Sequence, residues 1–218
     1  MSAEEAREAI LAATEKRLRE VGPEGLRLQE IASDLGISHP TLLHHVGSRE
    51  ELLEAVVTRS MIALETDLIA CFTPGVSPPE IVSTLDKVDE VMRVRGQARL
   101  IAWLALARPD ASKAESRLGD LTVAIHAVRT ALGKGAPFED TAFGVMLGAA
   151  AMFGVSILGP GLLSMMKLPV DEASLRRFRE WLGALLLEHA GIEAPSPAVT
   201  PRPAAARSRT ARPRSRRS

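Results

Sequence analysis

The sequence predicts an all-α protein: a small N-terminal helical domain followed by a larger helical body. Three observations predict it. Helix formers are abundant, while aromatics make up only 3% of the chain and tyrosine is absent, so strand-favouring side chains are thin. Apolar residues recur at three- and four-residue spacing through most of the chain. Polar caps and Gly/Pro stops punctuate that pattern at helix-length intervals.

The elements follow in order. Over residues 4–20, Ala6, Ile10, Ala13 and Leu18 share one helical face, Glu4, Glu5 and Glu8 complement the positive end of the helix dipole, and Gly22-Pro23 stops the helix. Gln29–Leu35 predicts a short second helix with Ile31, Ala32 and Leu35 inward, and Gly36 stands where a helix end wants a left-handed residue. Ser38 can cap a third helix, with His39-Pro40 in its first turn, running to about His45. Gly47 breaks it, and Ser48 with Glu51 forms a capping box for a long amphipathic helix from Arg49 to about Cys71. Residues 73–79 read as a connector. Further helices are expected over 79–93, 96–107, 111–132, 138–158 and 171–190, with Gly159-Pro160-Gly161 ending the fourth of them. From Ala194 on, the chain is rich in Arg, Pro and Ala, with almost nothing larger than Ala to bury, and reads as disordered. The domains expected are therefore 1–47, 48–193 and a tail, 194–218.

Composition bounds the function. The single cysteine, Cys71, excludes an internal disulfide and a thiolate cluster; it reads as a small apolar side chain with no electropositive neighbour in sequence. The first residues lack the basic start and apolar run of a signal peptide, so a cytoplasmic protein is expected. Lys+Arg and Asp+Glu balance at 27 each, yet seven arginines and no acid follow Pro195, which leaves an acidic body and a basic tail. Thr141–Met166 carries no charge, but the expected break after Leu158 leaves too short a helix to span a bilayer, so no membrane is expected. His39, His44 and His45 do not make a metal site: ligand pairs on a helix want i, i+4 spacing on one face, and His44 and His45 diverge by about 100°. No nucleophile–base set is visible, so neither catalytic residues, nor a metal, nor a cofactor is expected.

Helix, glycine turn, short helix is a helix-turn-helix arrangement. Leu28–Leu35 is the first helix, Gly36-Ile37 the turn and Ser38–His45 the second. Ala32 is small where the helices approach, and Ile37 and Leu42 point back to lock the second helix on the first. The outer face carries His39, Pro40, Thr41 and His44 and no acid, as entry into a phosphate-walled major groove requires.

The run from Gly22 to Val57 resembles the DNA-binding domain of the TetR family of bacterial regulators (TetR/AcrR type). The matching residues are Ile31-Ala32, Gly36-Ile37-Ser38, Thr41-Leu42-Leu43-His44-His45-Val46 and Arg49-Glu50-Glu51-Leu52. Two positions depart: Leu43 stands where the family usually has a phosphate-reaching Tyr, and Val46 where it has Phe. Residues 1–58 are also acidic, with six Lys/Arg against eleven Asp/Glu, so binding by counterion release should be modest unless the tail adds charge.

The resemblance implies a homodimeric repressor of a palindromic double-stranded operator, released by a small ligand. It implies DNA contacts by Arg27, Ser38, His39, Pro40, Thr41, His44 and Arg49. It implies a pocket among the later helices, for which Met61, Met92, Trp103, Leu104, His126, Met146, Met152 and Phe153 are candidates, His126 being the polar one; such a lining suits a mostly apolar ligand. It also implies pairing of the last two helices with a second subunit, through Gly144, Gly148 and Ala151 on one and Leu175, Phe178, Leu182, Leu185 and Leu186 on the other. The competing class is a non-catalytic interaction or membrane-associated protein with a degenerate helix-turn-helix.

Overall fold

The structure, a computed structural model, describes residues 2–72, 81–107 and 115–192; the expected connector at 73–79, the starts of the helices expected at 79 and 111, and the tail lie outside these residues. Among the described residues every regular element is a helix: α1 Ala3–Gly25, α2 Leu28–Asp34, α3 His39–Val46, α4 Arg49–Cys71, α5 Ile81–Asp89, α6 Gln97–Ala107, α7 Leu118–Ala131, α8 Phe138–Met165 and α9 Glu172–His189.

Ser48 with Glu51 forms the expected capping box on α4, and Ser2 with Glu5 forms a second one on α1. Gly22 leaves the helical conformation (φ 70°) and kinks the end of α1. At the α2 end, Gly36 N–H bonds the Ser33 carbonyl and Ile37 N–H that of Ala32, at 3.1 and 3.0 Å, closing a paired C-terminal cap around a Gly36 with φ 65°. That cap re-aims the chain into α3.

Three apolar clusters follow the chain. Ile10, Ile31, Leu42, Leu52, Leu53 and Val56 are fully buried in the first, which also takes in Leu100 and Leu104 of α6. Each such side chain contributes roughly 1.5–3 kcal/mol by leaving water. The first half of α4 thus belongs to the N-terminal core. Its second half, with Leu64 and Leu68, joins Val91 and Leu121 in the next cluster, and Leu85, Met152 and Leu182 form the third. α5 runs into one π-helical turn, Glu90–Val94, closed by Arg95 N–H to the Glu90 carbonyl at 2.9 Å. An ion cluster centred on buried Asp89 and Arg179 ties it to α9: Arg93 bonds Asp89 twice (2.8 and 2.6 Å) and Glu172 (2.8 Å), and Arg179 bonds Asp86 (2.6 Å) and Glu172 (3.0 Å) and lies 3.3 Å from Asp89.

Three expectations are corrected. Gly159-Pro160-Gly161 does not end α8, which runs on to Met165. Gly159 is buried, and a Cβ there would meet Val155 of its own helix at 2.8 Å and Leu175 of α9 at 3.2 Å, so it serves as a packing position. The helix expected over 111–132 is not helical at residues 115–117, and α7 runs Leu118–Ala131; the Glu65 carboxylate of α4 accepts from Ser116 Oγ (2.8 Å) and the Arg117 N–H at its entry. Cys71 does have a cationic neighbour: Lys87 Nζ donates to its sulfur at 3.4 Å, from a helix far off in sequence.

Candidate nucleic-acid interface and apolar cavity

α3 turns Leu42 and Val46 into the core and leaves Pro40, Thr41 and His44 exposed, with His39 half-buried. Ser38 Oγ accepts the Thr41 N–H (3.2 Å) and lies 2.7 Å from Thr41 Oγ1, so cap and threonine hydroxyl form one unit at the start of the helix. His45 is half-buried, its carbonyl accepts from Arg7 Nη1 at 3.0 Å, and its ring meets His44 edge-on at 5.6 Å. Leu43 is half-buried against the N-terminal core.

The two arginines expected at phosphate differ. Arg27 is exposed ahead of α2. Arg49 turns inward, donating to the Pro23 carbonyl and covering the Trp103 ring at 5.1 Å, so its guanidinium joins α1, α4 and α6 instead of facing outward. At the start of α4, the Glu51 N–H is taken by the helix's own cap, Ser48 Oγ, at 3.1 Å. Other bases of this domain are paired: Arg17 with Asp34 (2.7 and 2.8 Å) and Glu30, and Arg59 with Glu8 (2.8 Å) and Glu15 (2.7 Å). Hydrogen bonds from Arg17, more than its charge alone, hold the Asp34 carboxyl below the usual carboxylate range.

A cavity of about 210 Å³ lies among α4, α5, α7, α8 and α9. Met61, Met92 and Met152 line it as expected. The other five candidates do not. Trp103 and Leu104 pack in the N-terminal core, Met146 is exposed, Phe153 is half-buried off the cavity, and His126 bonds Thr141 Oγ1 through Nδ1 (3.0 Å) with its ring edge-on to Phe138. The wall is otherwise apolar, drawn from residues such as Leu64, Leu68, Leu121, Ile125 and Leu186.

Its polar members went unrecognised in the sequence. Glu65 and Arg129 line the cavity and are each 5% exposed. Arg129 Nη1 donates to Asp140 Oδ2 (2.8 Å) and to Thr141 Oγ1 (2.9 Å); the threonine hydrogen is then free for His126 Nδ1. These bonds from Arg129, with the nearby His189 at 3.1 Å, hold Asp140 below the usual carboxylate range. A signal was present: Arg129 continues the row Leu121, Ile125 at four-residue steps, and Glu65 follows Met61 likewise, so each puts a charge on an apolar helix face.

Residues 10–56 match the family model described as bacterial regulatory proteins, tetR family. The HTH-type transcriptional regulator BetI of Rhizobium meliloti (strain 1021) is 30% identical over 191 residues, spanning 84% of this chain and 91% of that protein. The chain belongs to the TetR family. It is a DNA-binding transcriptional regulator and not an enzyme. Solved structures share the fold: one described as a TetR-family transcriptional regulator of Mesorhizobium loti MAFF303099 (TM-score 0.60, 17% identity, 86% of this chain and 98% of that one) and the multidrug binding protein EbrR complexed with imidazole (TM-score 0.51, 16% identity, 88% and 97%).

In this TetR-family chain most positions expected at a subunit interface lie against the same chain. A Cβ on Gly148 would meet Leu186 of α9 at 3.3 Å, and one on Gly144 would meet His189. Leu175 and Leu182 are buried, and Ala151, Phe178 and Leu186 pack around Met152. Of the eight, Leu185 alone is exposed among large side chains. The outward apolar row is instead Phe143, Met146, Leu147, Leu158, Leu162 and Met165 of α8, with Trp181 beside Leu185 on α9. α8 is also long and apolar enough to cross a membrane.

Proposed function

We propose that this regulator is a cytoplasmic homodimeric repressor that binds a palindromic operator through α3 and is released by a mostly apolar small molecule in the cavity. One observation carries the reading. α4 packs Leu52, Leu53 and Val56 into the DNA-binding core and lends Leu64, Glu65 and Leu68 to the cavity wall, so one helix of 23 residues, about 35 Å long, joins both sites. A molecule that prefers one α4 position shifts the spacing of the two α3 helices of a dimer, which a palindrome needs near 34–36 Å. Thr41, His44, His39 and Pro40 read bases, with Ser38 and Arg27 at phosphate. The α8 row with Trp181 and Leu185 is the surface a second subunit would cover, since so long an apolar stripe is unusual on a monomer.

Selection from random DNA with the purified protein tests the reading. An enriched palindrome, lost in Thr41→Ala/His44→Ala, is expected; a folded dimer that enriches nothing overturns it. A molecule that fills the cavity and leaves operator affinity unchanged overturns the release step. The apolar α8 favours membrane association as a second reading, which a monodisperse dimer in detergent-free buffer excludes.

A further inference from the structure

We infer that the cavity selects an apolar molecule carrying one neutral hydrogen-bond acceptor, such as a ketone, ester or lactone carbonyl, and that Arg129 is the group that reads it. The inference rests on the proposal that the cavity takes a small apolar ligand, and it names that ligand's class.

Arg129 lines the cavity, is 5% exposed, and its Nε–H is buried with no acceptor. A buried donor without a partner is costly, and the cost is removed by whatever brings an acceptor to it. Nη1 is already satisfied, by Asp140 and Thr141. The charge is satisfied as well: Asp140 lies 2.8 Å away and is held ionised by the contact. What the site lacks is therefore an acceptor and not a negative charge. A carboxylate would supply the acceptor but add an unbalanced charge beside Asp140 and within the same apolar walls as Glu65.

Glu65 does not invite a cation by the same measure. Its two oxygens accept from Ser116 Oγ and the Arg117 N–H, at the positive end of the α7 dipole. At about 210 Å³ the cavity lies below the usual range for drug-sized ligands, so a short chain suits it.

Calorimetric titration of the full chain with four probes of equal chain length tests the assignment: methyl hexyl ketone, n-octane, octanoate and octyltrimethylammonium. The ketone should bind about tenfold or more tighter than octane, octanoate and octyltrimethylammonium. Arg129→Leu should drop the ketone to octane or below it, since its carbonyl then has no donor, while leaving octane bound. Because that variant removes a buried ion pair and can fail to fold, Asp140→Asn serves beside it. It keeps Arg129 but unbalances its charge, and should move octanoate ahead of the ketone. Ketone and octane binding alike in the wild type would overturn the role of Arg129 while leaving the cavity as a ligand site. Tightest binding by octyltrimethylammonium would assign recognition to Glu65 instead and overturn the proposal. Failure of all four, octane included, would remove the ligand reading itself.

Discussion

Thr41 and His44, the proposed base readers, stand exposed on α3 because of where two neighbouring residues put them. Gly36, at φ 65°, lets the chain leave α2 and start α3 at the angle of a reading helix, and Ser38 then caps α3 through the Thr41 N–H. Gly36→Val forces a β-branched side chain into left-handed backbone, so thermal unfolding should show a loss of at least about 1–2 kcal/mol. Thr41→Ala and His44→Ala should leave the melting curve almost unmoved and each remove about 1–3 kcal/mol of discrimination at one base pair, read by competition binding. Asp34 and Asp140 both have folded pKa values below their ordinary 3.8, because arginines hydrogen-bond their ionised forms. The stability this supplies is complete above that value and is lost as pH falls through the lowered folded values. Carboxyl titration by NMR should find both groups ionised below pH 3.8, and Arg17→Leu should return Asp34 to the ordinary range.

Elements couple through a few polar contacts laid over apolar packing. Arg179, 6% exposed, draws Asp86, Asp89 and Glu172 together and fixes α9 against α5. Asp89→Ala would remove both hydrogen bonds from Arg93 and the 3.3 Å contact with Arg179, and denaturant unfolding should register a loss of about 1.5–3 kcal/mol. Glu65 joins α4 to the entry of α7. Glu65→Ala should loosen that entry, raising amide exchange at Arg117 and Leu118 before exchange rises in the N-terminal core.

For the whole molecule, the acidic surface around α3 and the arginine tail pull in opposite directions. Arg7, Arg17, Arg49 and Arg59 each bond carbonyls or carboxylates of the same chain, which leaves Lys16, Arg19 and Arg27 as the exposed bases of this region for phosphate. Deleting residues 195–218 should therefore flatten the dependence of operator affinity on salt; an unchanged slope takes the tail out of DNA binding. The α8 row makes a parallel demand. Phe143→Glu with Leu147→Glu should convert the proposed dimer to monomers in sedimentation, because each charge would enter an apolar contact unpaired.

The sequence by itself determined the all-α class, the helix-turn-helix and its outward residues. Caps, turns and apolar spacing are local: Ser38, Gly36 and Leu42 each act within one or two turns of their own position, so their meaning survives being read in order. It also showed that α8 carries no charge from Thr141 on and that α9 has a leucine-rich face. Only the tertiary structure decided which side faces inward, and it turned Gly148, Leu175 and Leu182 to the same chain and Phe143 and Trp181 outward. It likewise decided that Arg49 covers Trp103, that Glu65 bonds the entry of α7, and that Arg129 and not His126 stands at the cavity. Each of these pairs residues from different helices. Helical periodicity gives the angle of a side chain about its own axis and carries no information on which other helix lies there.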